Sequence, residues 1–383
     1  MRKLLLFVCL AFMSLITDAQ VVKSVNVEEA GTLQALLGND YLNITDLTVT
    51  GNLNGNDIIT LRAMCGVNTG EEQTGTGKLE KLDMSGAVIK AGGEMYATKF
   101  SNKSTTDNEI GVAMFRYCNT LKEVRLPNSV VTIKNNSFEK AVGLKTVIIG
   151  ANTKEIQKAA FRGCTALENV DMPATLTTLG NETFKDCVSL TNVKLPDALT
   201  QVPELCFSNT NIQDLVIPDN VTYIGWYAFQ DLQNLVTITF GKSMNTLSKT
   251  SFQRSGAYVE DVYINYPGTE DQKIIGGDYV MLFDGFYDDD GDGNTQDVRY
   301  TDEELAQIKV HVPANRLEDY KASPKWNKFT LVANTASNVE PVKMANAKVV
   351  ARYTLDGKAL SKAQKGLNLV KMSDGTVRKE LVR

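Results

Sequence analysis

Seven phenylalanines recur at an almost constant spacing in the middle of this 383-residue chain. Successive members stand 23, 23, 23, 23, 22 and 23 residues apart: Phe115, Phe138, Phe161, Phe184, Phe207, Phe229 and Phe252. A fixed period of this size is typical of solenoids, in which one small unit is repeated and stacked on its neighbours. No single unit can bury its own apolar face, so several must stack before the chain is stable. The spacing therefore predicts a stacked repeat architecture.

Each phenylalanine opens a coil that carries the same apolar pattern. Apolar residues stand six, nine, eleven and eighteen positions on, often with proline at twelve; in the third coil these are Leu167, Val170, Met172, Leu179 and Pro173. Apolar residues two apart favour short strands, because successive side chains of a strand point to opposite faces. Each coil is therefore predicted to supply a strand, a turn, a second short apolar stretch and an inward phenylalanine. The fifth coil is one residue shorter than its neighbours.

The run from Phe161 to Phe184 follows the pattern FxxCxxLxxVxLPxxLxxLxxxxF, except that Met172 takes the place of the leucine before the proline. This pattern resembles the BspA-like leucine-rich repeat family of bacterial cell-surface and secreted proteins, of the Bacteroidetes type. The resemblance covers residues 111 to about 262. It implies a β-rich leucine-rich repeat solenoid, a right-handed horseshoe with coils of about 23 residues. For function it implies adhesion to host extracellular proteins or to other bacteria.

The pattern divides the chain into five segments. They are a signal peptide (1–19), an N-terminal cap with degenerate repeats (20–110), the repeats (111–262), a C-terminal cap with an acidic insertion (263–334), and a linker with a small basic β tail (335–383). The stretches 47–51, 53–58 and 79–85 are interpreted as degenerate coils of the N-terminal cap. Val312, Pro313, Tyr320, Lys321, Trp326 and Phe329 resemble the VPxxxxxxYKxxxxWxxF closing element of the family.

The N-terminus has the pattern of an export signal. Arg2 and Lys3 precede an apolar run of thirteen residues, and small residues at Thr17 and Ala19 suit cleavage before Gln20. A membrane anchor is the alternative, but a spanning helix needs roughly 20 apolar residues. The sequence thus predicts an exported protein, extracellular or on the outer cell surface, with no transmembrane span in the mature chain.

The charge balance argues against two classes of partner. The chain has 40 basic and 45 acidic residues, which gives no reason to expect nucleic acid or an anionic membrane as its ligand. Its hydrophobic content of 43% is ample for a core.

The cysteines of the mature chain are interpreted as buried thiols. Export permits disulfides, and Cys164 and Cys187 lie on adjacent coils, where a bridge is geometrically allowed. The position three after the repeat phenylalanine, however, accepts small and apolar residues interchangeably, which favours a small buried slot. The five cysteines are Cys65, Cys118, Cys164, Cys187 and Cys206.

An acidic insertion at about residues 266–305 contains one pattern with metal chemistry. Asp288, Asp290, Asp292 and Gly293 match the first, third, fifth and sixth positions of a calcium loop. The twelfth position is Arg299 rather than the expected glutamate, so Asp297 or Glu303 would have to substitute. The hypothesis is a structural calcium ion and no other cofactor. The alternative is a solvated acidic loop built of Asp-Gly turns.

The last 43 residues change composition, with ten basic against three acidic residues from position 341 on. Three short strands are predicted at 353–358, 365–370 and 374–379, joined by glycine turns. The segment resembles the small C-terminal element of exported Bacteroidetes proteins that is akin to the type IX sorting domain. A folded basic tail without a sorting role is the alternative.

Patterns typical of enzymes are missing from the sequence. The single histidine, His311, cannot form a metal-ligand cluster alone, and a histidine on a strand is more often structural than catalytic. No GxSxG, HExxH, GxxxxGK[ST] or GxGxxG run occurs. The chain is therefore predicted not to be an enzyme, although a hydrolase with an unfamiliar motif is a third hypothesis.

The remaining candidates for function lie on the predicted strand face, where an extended sheet can bind a partner. The outward charged candidates are Lys122, Arg125, Lys145, Glu168, Asp171, Lys194 and Asp214. Tyr223, Trp226 and Tyr227 are candidate aromatic anchors, or else pack against a neighbouring coil. The prediction is an adhesin-like, non-catalytic protein that binds an extracellular protein or glycan of host or bacterial origin. A structural or scaffolding component of the bacterial envelope is the alternative.

Overall fold

A computed structural model of the protein describes most of the chain. It describes residues 20–99, 104–244, 246–248, 250–255, 259–265, 301–324 and 326–334, together with the backbone of short strands within 286–298 and 349–382. The predicted signal peptide at 1–19 lies outside the described residues.

The main sheet surface is a row of parallel strands, one from each coil. Val124 and Val147, nine residues after their repeat phenylalanines, are buried on these strands, while their strand neighbours are exposed or half-buried. The strands are β1 (Val22–Val27), β2 (Asp46–Leu53), β3 (Lys81–Asp83), β6 (Glu123–Arg125), β8 (Thr146–Ile148), β10 (Asn169–Asp171), β13 (Asp214–Val216), β15 (Thr237–Phe240), β17 (Asp261–Ile264), β20 (Lys309–Pro313) and β21 (Thr330–Asn334). The short β4 (Ala87–Ile89) pairs with the end of β2.

The principal row, as we call these strands, is divided into two sheets. The first has the order β1-β2-β3-β6-β8-β10 and the second the order β13-β15-β17-β20-β21. The fourth coil lies between them, and only an isolated bridge from Asn192 to Asp214 continues the pairing. The break therefore falls immediately before the one coil that is a residue short.

A second row of two-residue strands follows on another side of the stack. Its strands are β5 (Glu109–Ile110), β7 (Thr132–Ile133), β9 (Glu155–Ile156), β11 (Thr178–Leu179), β12 (Gln201–Val202), β14 (Tyr223–Ile224) and β16 (Thr246–Leu247). The second residue of each strand from β5 to β14 is buried. This row is also divided, between β11 and β12. The two rows confirm the predicted leucine-rich repeat solenoid with its strand and second apolar stretch.

The seven repeat phenylalanines form one continuous stack inside the solenoid. Adjacent ring centroids are 5.0–5.6 Å apart and the ring planes differ by at most 20°. All seven side chains are buried. Such near-parallel aromatic pairs contribute about 0.5–1.5 kcal/mol each beyond the burial of their area. The inward position predicted for these rings is confirmed.

The turn around each phenylalanine carries a third set of hydrogen bonds between coils. In the first coil the N–H groups of Ala113, Phe115 and Tyr117 all donate to carbonyl oxygens of the second coil, over 2.7–3.2 Å. In this turn, every N–H that bonds between coils points toward the C-terminal end of the stack. The residues two before and two after the phenylalanine adopt positive φ in most coils, as Asn136 and Lys140 do around Phe138. This conformation is normally costly for residues other than glycine, so the bonds between coils must hold it.

The N-terminal cap contains a helix where a degenerate coil was predicted. The stretch 53–58 is not a coil, because Asn54 caps the ten-residue helix α2 (Gly55–Met64) and Asp57 completes the capping box. Asp57 is buried and also accepts hydrogen bonds from the N–H groups of Gly31 and Leu33, at 2.6 and 2.9 Å. It thereby joins α2 to the segment before the short helix α1 (Leu33–Leu37).

Arg62 of α2 closes the N-terminal end of the phenylalanine turns. The side chain is fully buried. Its Nη1 donates to the carbonyl oxygens of Ala113 and Met114, at 2.9 and 3.0 Å, and Nη2 donates to that of Asn68 at 3.1 Å. In later coils, the carbonyl at the position of Met114 accepts a hydrogen bond from an N–H group of the preceding coil. Arg62 thus stands in for a missing coil.

The C-terminal cap is built as the closing element suggested. Helix α3 (Asp302–Leu305) precedes β20, and helix α4 (Leu317–Ala322) follows it. Tyr320, Trp326 and Phe329 are buried against one another, with ring centroids 5.3 Å apart for Tyr320 and Trp326 and 5.7 Å for Trp326 and Phe329.

The C-terminal tail forms four antiparallel strands rather than the three predicted. They are β22 (Val349–Tyr353), β23 (Ala359–Leu360), β24 (Gly366–Met372) and β25 (Val377–Val382), in the order β23-β22-β24-β25. The strand predicted at 353–358 began too late, and the strand predicted at 374–379 began too early. The ends of strands in a short hairpin are set by pairing rather than by composition. The Asp356-Gly357 turn lies outside the described residues.

All five cysteines of the mature segment are buried and free, as interpreted from their position. Cys164 and Cys187 donate from Sγ to the carbonyl oxygens of Phe138 and Phe161, at 3.1 and 3.2 Å. Ser255 makes the same bond to Phe229 at 2.6 Å. A donor in this slot thus bonds to the phenylalanine carbonyl of the preceding coil, and burial raises the pKa of the Cys164 thiol well above its usual range.

Replacing one ring of the stack should destabilise the whole repeat region. We expect Phe161→Ala to lower the free energy of unfolding by about 3–5 kcal/mol, because it removes a buried ring and both of its stacking contacts. The exposed Val142→Ala in the adjacent coil should change it by less than about 0.5 kcal/mol. Chemical denaturation followed by circular dichroism measures both. An equal effect of the two substitutions would contradict the role given to the stack.

Candidate binding surfaces

Six of the charged residues predicted for the strand face are exposed. They are Lys122, Arg125, Lys145, Glu168, Asp171 and Lys194. Five of them lie on the principal row or immediately before its strands. Lys194 lies two residues after Asn192, in the fourth coil that separates the two sheets. The fold itself does not require these residue types, since their side chains lie outside the core.

Most of these charges pair with a neighbour in the same face. Lys122 Nζ lies 2.5 Å from Glu80 Oε1, and Lys145 Nζ lies 3.8 Å from Glu168 Oε1. Exposed pairs of this kind contribute at most about 1 kcal/mol to stability, but they do neutralise the local field. Asp171 and Lys194 have no ion-pair partner among the described residues. These two charges are therefore the ones most available to a ligand.

Asp214 does not present an outward charge, contrary to its predicted role. It is only 8% exposed, and its Oδ1 accepts a hydrogen bond from Thr237 Oγ1 at 2.8 Å. The reason is its place at the break of the principal row, where it also bridges to Asn192. Its carboxylate joins two coils and is not free for a partner.

The three predicted aromatic anchors do not lie on the principal row. Tyr223 belongs to β14 in the second row, where its hydroxyl lies 3.3 Å from Ser248 Oγ. Trp226 and Tyr227 belong to the turn before Phe229, and Tyr227 has positive φ. Assigning them to the strand face was wrong, because the period of each coil carries this stretch to another side. Trp226 is nevertheless 58% exposed, while Tyr223 and Tyr227 are half-buried.

One aromatic pair on the principal row was missed from the sequence. Tyr263 of β17 and His311 of β20 are paired across the two strands, with ring centroids 4.2 Å apart and planes 12° from parallel. His311 Nε2 lies 2.6 Å from Asp261 Oδ1. The phenol and the imidazole are 48 positions apart in the chain and separated by the insertion, so no repeat spacing could have matched them. The single histidine is thus held by a carboxylate and a stacked ring.

A buried series of alternating charges was also missed. The residue after each of the first three repeat phenylalanines is Arg116, Glu139 or Arg162. Glu139 Oε2 lies 2.6 Å from Arg116 Nε, Glu139 also pairs with Arg162, and Arg116 Nη1 lies 2.8 Å from Glu71 Oε2. The series ends at Glu182, 2.6 Å from Arg162. The charge of the residue that follows each of these three phenylalanines alternates in sign, and this alternation could have been found from the sequence.

The guanidinium groups on either side control the ionisation of Glu139. Burial alone would raise the pKa of this carboxyl, but the hydrogen bond from Arg162 and the charges of Arg116 and Arg162 outweigh it and lower the pKa. Its side chain is only 1% exposed. The charge on Glu139 is therefore a structural requirement and not a reactive group.

The proposed calcium loop is described only in part. Strands β18 (Phe286–Asp289) and β19 (Thr295–Val298) form an antiparallel hairpin that pairs Asp288 with Gln296 and Tyr287 with Asp297. Asp290, Asp292 and all four carboxylate side chains lie outside the described residues. Elsewhere in the described chain no group of three or more metal-ligating side chains is placed to hold an ion.

The stacked coils define a leucine-rich repeat protein. A family model described as the BspA type leucine rich repeat region matches residues 94–212 and 200–267, in six copies. The match confirms the resemblance drawn from the phenylalanine and cysteine positions.

Three solved structures illustrate what the chain is similar to. A leucine-rich repeat protein of T. pallidum is 27% identical over 37% of this chain and 72% of its own, with a TM-score of 0.35. The pneumococcal vaccine antigen PcpA is 14% identical over 76% and 68%, with a TM-score of 0.38. A leucine-rich cell surface protein from Faecalibacterium prausnitzii is 20% identical over 69% and 90%, with a TM-score of 0.33.

No curated protein matches the sequence. Within the described residues no helix is long and apolar enough to cross a membrane.

The charge on Glu139 makes a testable contribution that depends on pH. Because its pKa is lower in the folded protein, the contribution is complete above the ordinary value of 4.5 and is lost as the pH falls through the folded value. We expect Glu139→Gln to cost about 2–3 kcal/mol at pH 7, since it leaves two guanidinium groups without their shared partner. The cost should shrink below pH 4.5.

Denaturant unfolding of both proteins between pH 7 and pH 3 measures this difference. The exposed Glu168→Gln is a matched control and should change stability by less than about 0.5 kcal/mol throughout. A Glu139→Gln cost that stays constant down to pH 3 would refute the electrostatic role.

Proposed function

We propose that this protein is an exported, non-catalytic binding protein that engages an extracellular protein or glycan through the outward face of its principal row. The observation that supports this proposal most is the contrast between the two faces of the same strands. Inward residues such as Val124 and Val147 are fixed by burial, whereas the outward residues beside them are exposed and are not used by the core. Solenoids use such extended surfaces to bind partners.

Asp171 and Lys194 form the centre of the proposed surface. Both are exposed, and neither is paired among the described residues. The Tyr263–His311 stack lies further along the same row and adds an aromatic group, of the type enriched at binding hot spots. An adhesin-like role agrees with the repeat family of the chain, and fold-level analogy alone does not name the partner.

Export is proposed from the N-terminal sequence pattern together with the repeat family. The basic, apolar and small-residue segments of positions 2–19 occur in the order of a signal peptide. The extracellular side or the outer cell surface follows as the place of action. The C-terminal basic tail is proposed as the element that serves sorting or retention there.

An envelope scaffold is the second candidate. It is favoured by the neutralisation of the face, since Lys122 pairs with Glu80 and Lys145 with Glu168. A face whose charges satisfy one another needs no ligand. In this case the solenoid would act as a spacer that presents its tail or its insertion.

Binding to an array of host matrix proteins and glycans tests the proposal. We expect saturable binding that falls at least tenfold in Lys194→Glu, or about 1.4 kcal/mol, because a charge at the centre of the face is reversed. Lys154→Glu is the matched control, since Lys154 is exposed immediately before β9 in the second row.

The exposed Trp226 separates two surfaces in the same assay. Trp226→Ala should leave binding unchanged if the principal row is the interface. Loss of binding in this variant alone would move the interface to the phenylalanine turns. A clean negative on the array from a folded sample would favour the envelope scaffold.

Calcium is proposed as a structural ion of the insertion. Carboxylate oxygens at Asp288, Asp290, Asp292 and Asp297 would hold it, and it would order the loop between β18 and β19. We expect isothermal titration of the metal-free protein to detect a single site, and Asp290→Asn with Asp292→Asn to abolish the heat. No heat at about 1 mM calcium would reject the site.

A further inference from the structure

The single short coil creates a cleft on the side of the solenoid. In a complete coil, two residues separate the position three after the phenylalanine from the apolar position six after it. These two residues are Val188 and Ser189 in the fourth coil and Gln233 and Asn234 in the sixth. The fifth coil has only Asn211 at this point. Its N–H donates to the Leu190 carbonyl of the preceding coil at 3.0 Å, whereas neighbouring coils close a local turn here. A deletion of one residue thus opens a gap between two complete coils.

The gap is a cleft of about 310 Å³ that is lined mostly by neutral amides. Asn209, Asn211 and Asn234 line it together with Asp231 and Val188. The volume lies at the lower end of the range for small-molecule sites, about 300–1,000 Å³. It suits one ring rather than a chain of rings.

The amide groups that line the cleft are held by hydrogen bonds to other side chains and keep further donor and acceptor capacity. Asn234 Nδ2 donates to Asn211 Oδ1, and Asn209 Nδ2 donates to Asp186 Oδ1 at 2.9 Å. These bonds leave Asn211 Nδ2 as a donor and Asn234 Oδ1 and Asn209 Oδ1 as acceptors. The side chains are therefore already oriented before any ligand arrives.

Charge and apolar surface restrict the ligand further. Arg254 Nη2 lies 2.7 Å from Asp231 Oδ2 and neutralises that carboxylate. The cleft therefore offers no net charge to an ionic ligand. Val188 is 43% exposed and supplies one small apolar surface.

We propose that this amide cleft binds a single neutral saccharide ring. A sugar hydroxyl donates and accepts at the same time, which matches paired amide donors and acceptors, and the C–H face of a pyranose would pack on Val188. The proposal rests on the binding role proposed above. It adds a second binding surface to the same protein and names the class of ligand for that surface. It also accounts for the one departure from the 23-residue period among complete coils.

Other ligand classes fit the described lining less well. An extended peptide is bound along a free strand edge or in a row of apolar pockets, and the cleft supplies one valine. The larger groove beside the N-terminal cap, of about 520 Å³, is lined by Lys78, Lys81, Lys122 and Glu80. Lys122 in this groove is already paired with Glu80, so fewer polar groups of the groove remain for a ligand.

Saturation-transfer-difference NMR on the whole protein tests the proposal. The probes are the methyl glycosides of glucose, galactose, mannose and N-acetylglucosamine at about 10 mM, which covers weak single-ring affinities. We expect transfer to at least one glycoside, and a loss of at least tenfold in affinity in Asn211→Ala with Asn234→Ala. Asn152→Ala removes an exposed amide between β8 and β9, outside both the cleft and the principal row; it is the matched control and should bind as the wild type.

A second variant tests the origin of the cleft directly. Insertion of one serine between Asn211 and Ile212 restores the length of the fifth coil and should abolish transfer while the circular dichroism spectrum is kept. If this variant fails to fold, the double alanine variant alone decides the question. The proposal is overturned if no glycoside shows transfer to the wild type, or if the double alanine variant binds equally well. A protein partner captured on the array with no glycoside bound would overturn this inference and leave the proposed function standing.

Discussion

Contact between one coil and the next is the interaction on which the rest of this protein depends. The strands of the repeats are only two to four residues long, and none could persist alone. Their partners, the acceptors of the phenylalanine turns and the neighbours of each ring all belong to adjacent coils. Stability is therefore a sum over neighbouring interfaces. The two ends need special closure, which α2 with Arg62 provides at one end and the Tyr320–Trp326–Phe329 cluster at the other.

This dependence separates the interior from the outer surface. An inward residue must fit the same residue of the coils before and after it, so a change at one position is felt in three coils. An outward residue such as Lys194 meets only its strand neighbours and solvent. Binding can thus diversify without a change of fold. The repeat pattern is irregular at two places, the fifth coil and the paired rings of β17 and β20. Stacking of the coils does not explain these irregularities, which therefore point to a function.

The parts of the fold that follow the period could be derived from the sequence, and the parts that interrupt it could not. Counting 23 residues places Phe161, Val147 and Cys164 inside correctly, because each has an equivalent in the next coil. Helix α2 escaped because its first residues were interpreted as part of a degenerate coil, while the decisive signal was the capping pair Asn54 and Asp57. Asp214 escaped because its burial depends on where the two sheets separate. The series from Arg116 to Arg162 needed only the comparison of signs one residue beyond each phenylalanine.

The direction of the hydrogen bonds in the phenylalanine turns gives the solenoid an electrical polarity. In each of the turns around the first five phenylalanines, three peptide units point their N–H groups toward the C-terminal end, so their dipoles add from coil to coil as they do along an α-helix. Parallel strands elsewhere in the stack contribute little, because their peptide dipoles alternate. The carbonyl end of this array carries partial negative charge, and the buried guanidinium of Arg62 meets it there. The N-terminal cap is therefore complementary in charge to one end of the stack only and could not close the other.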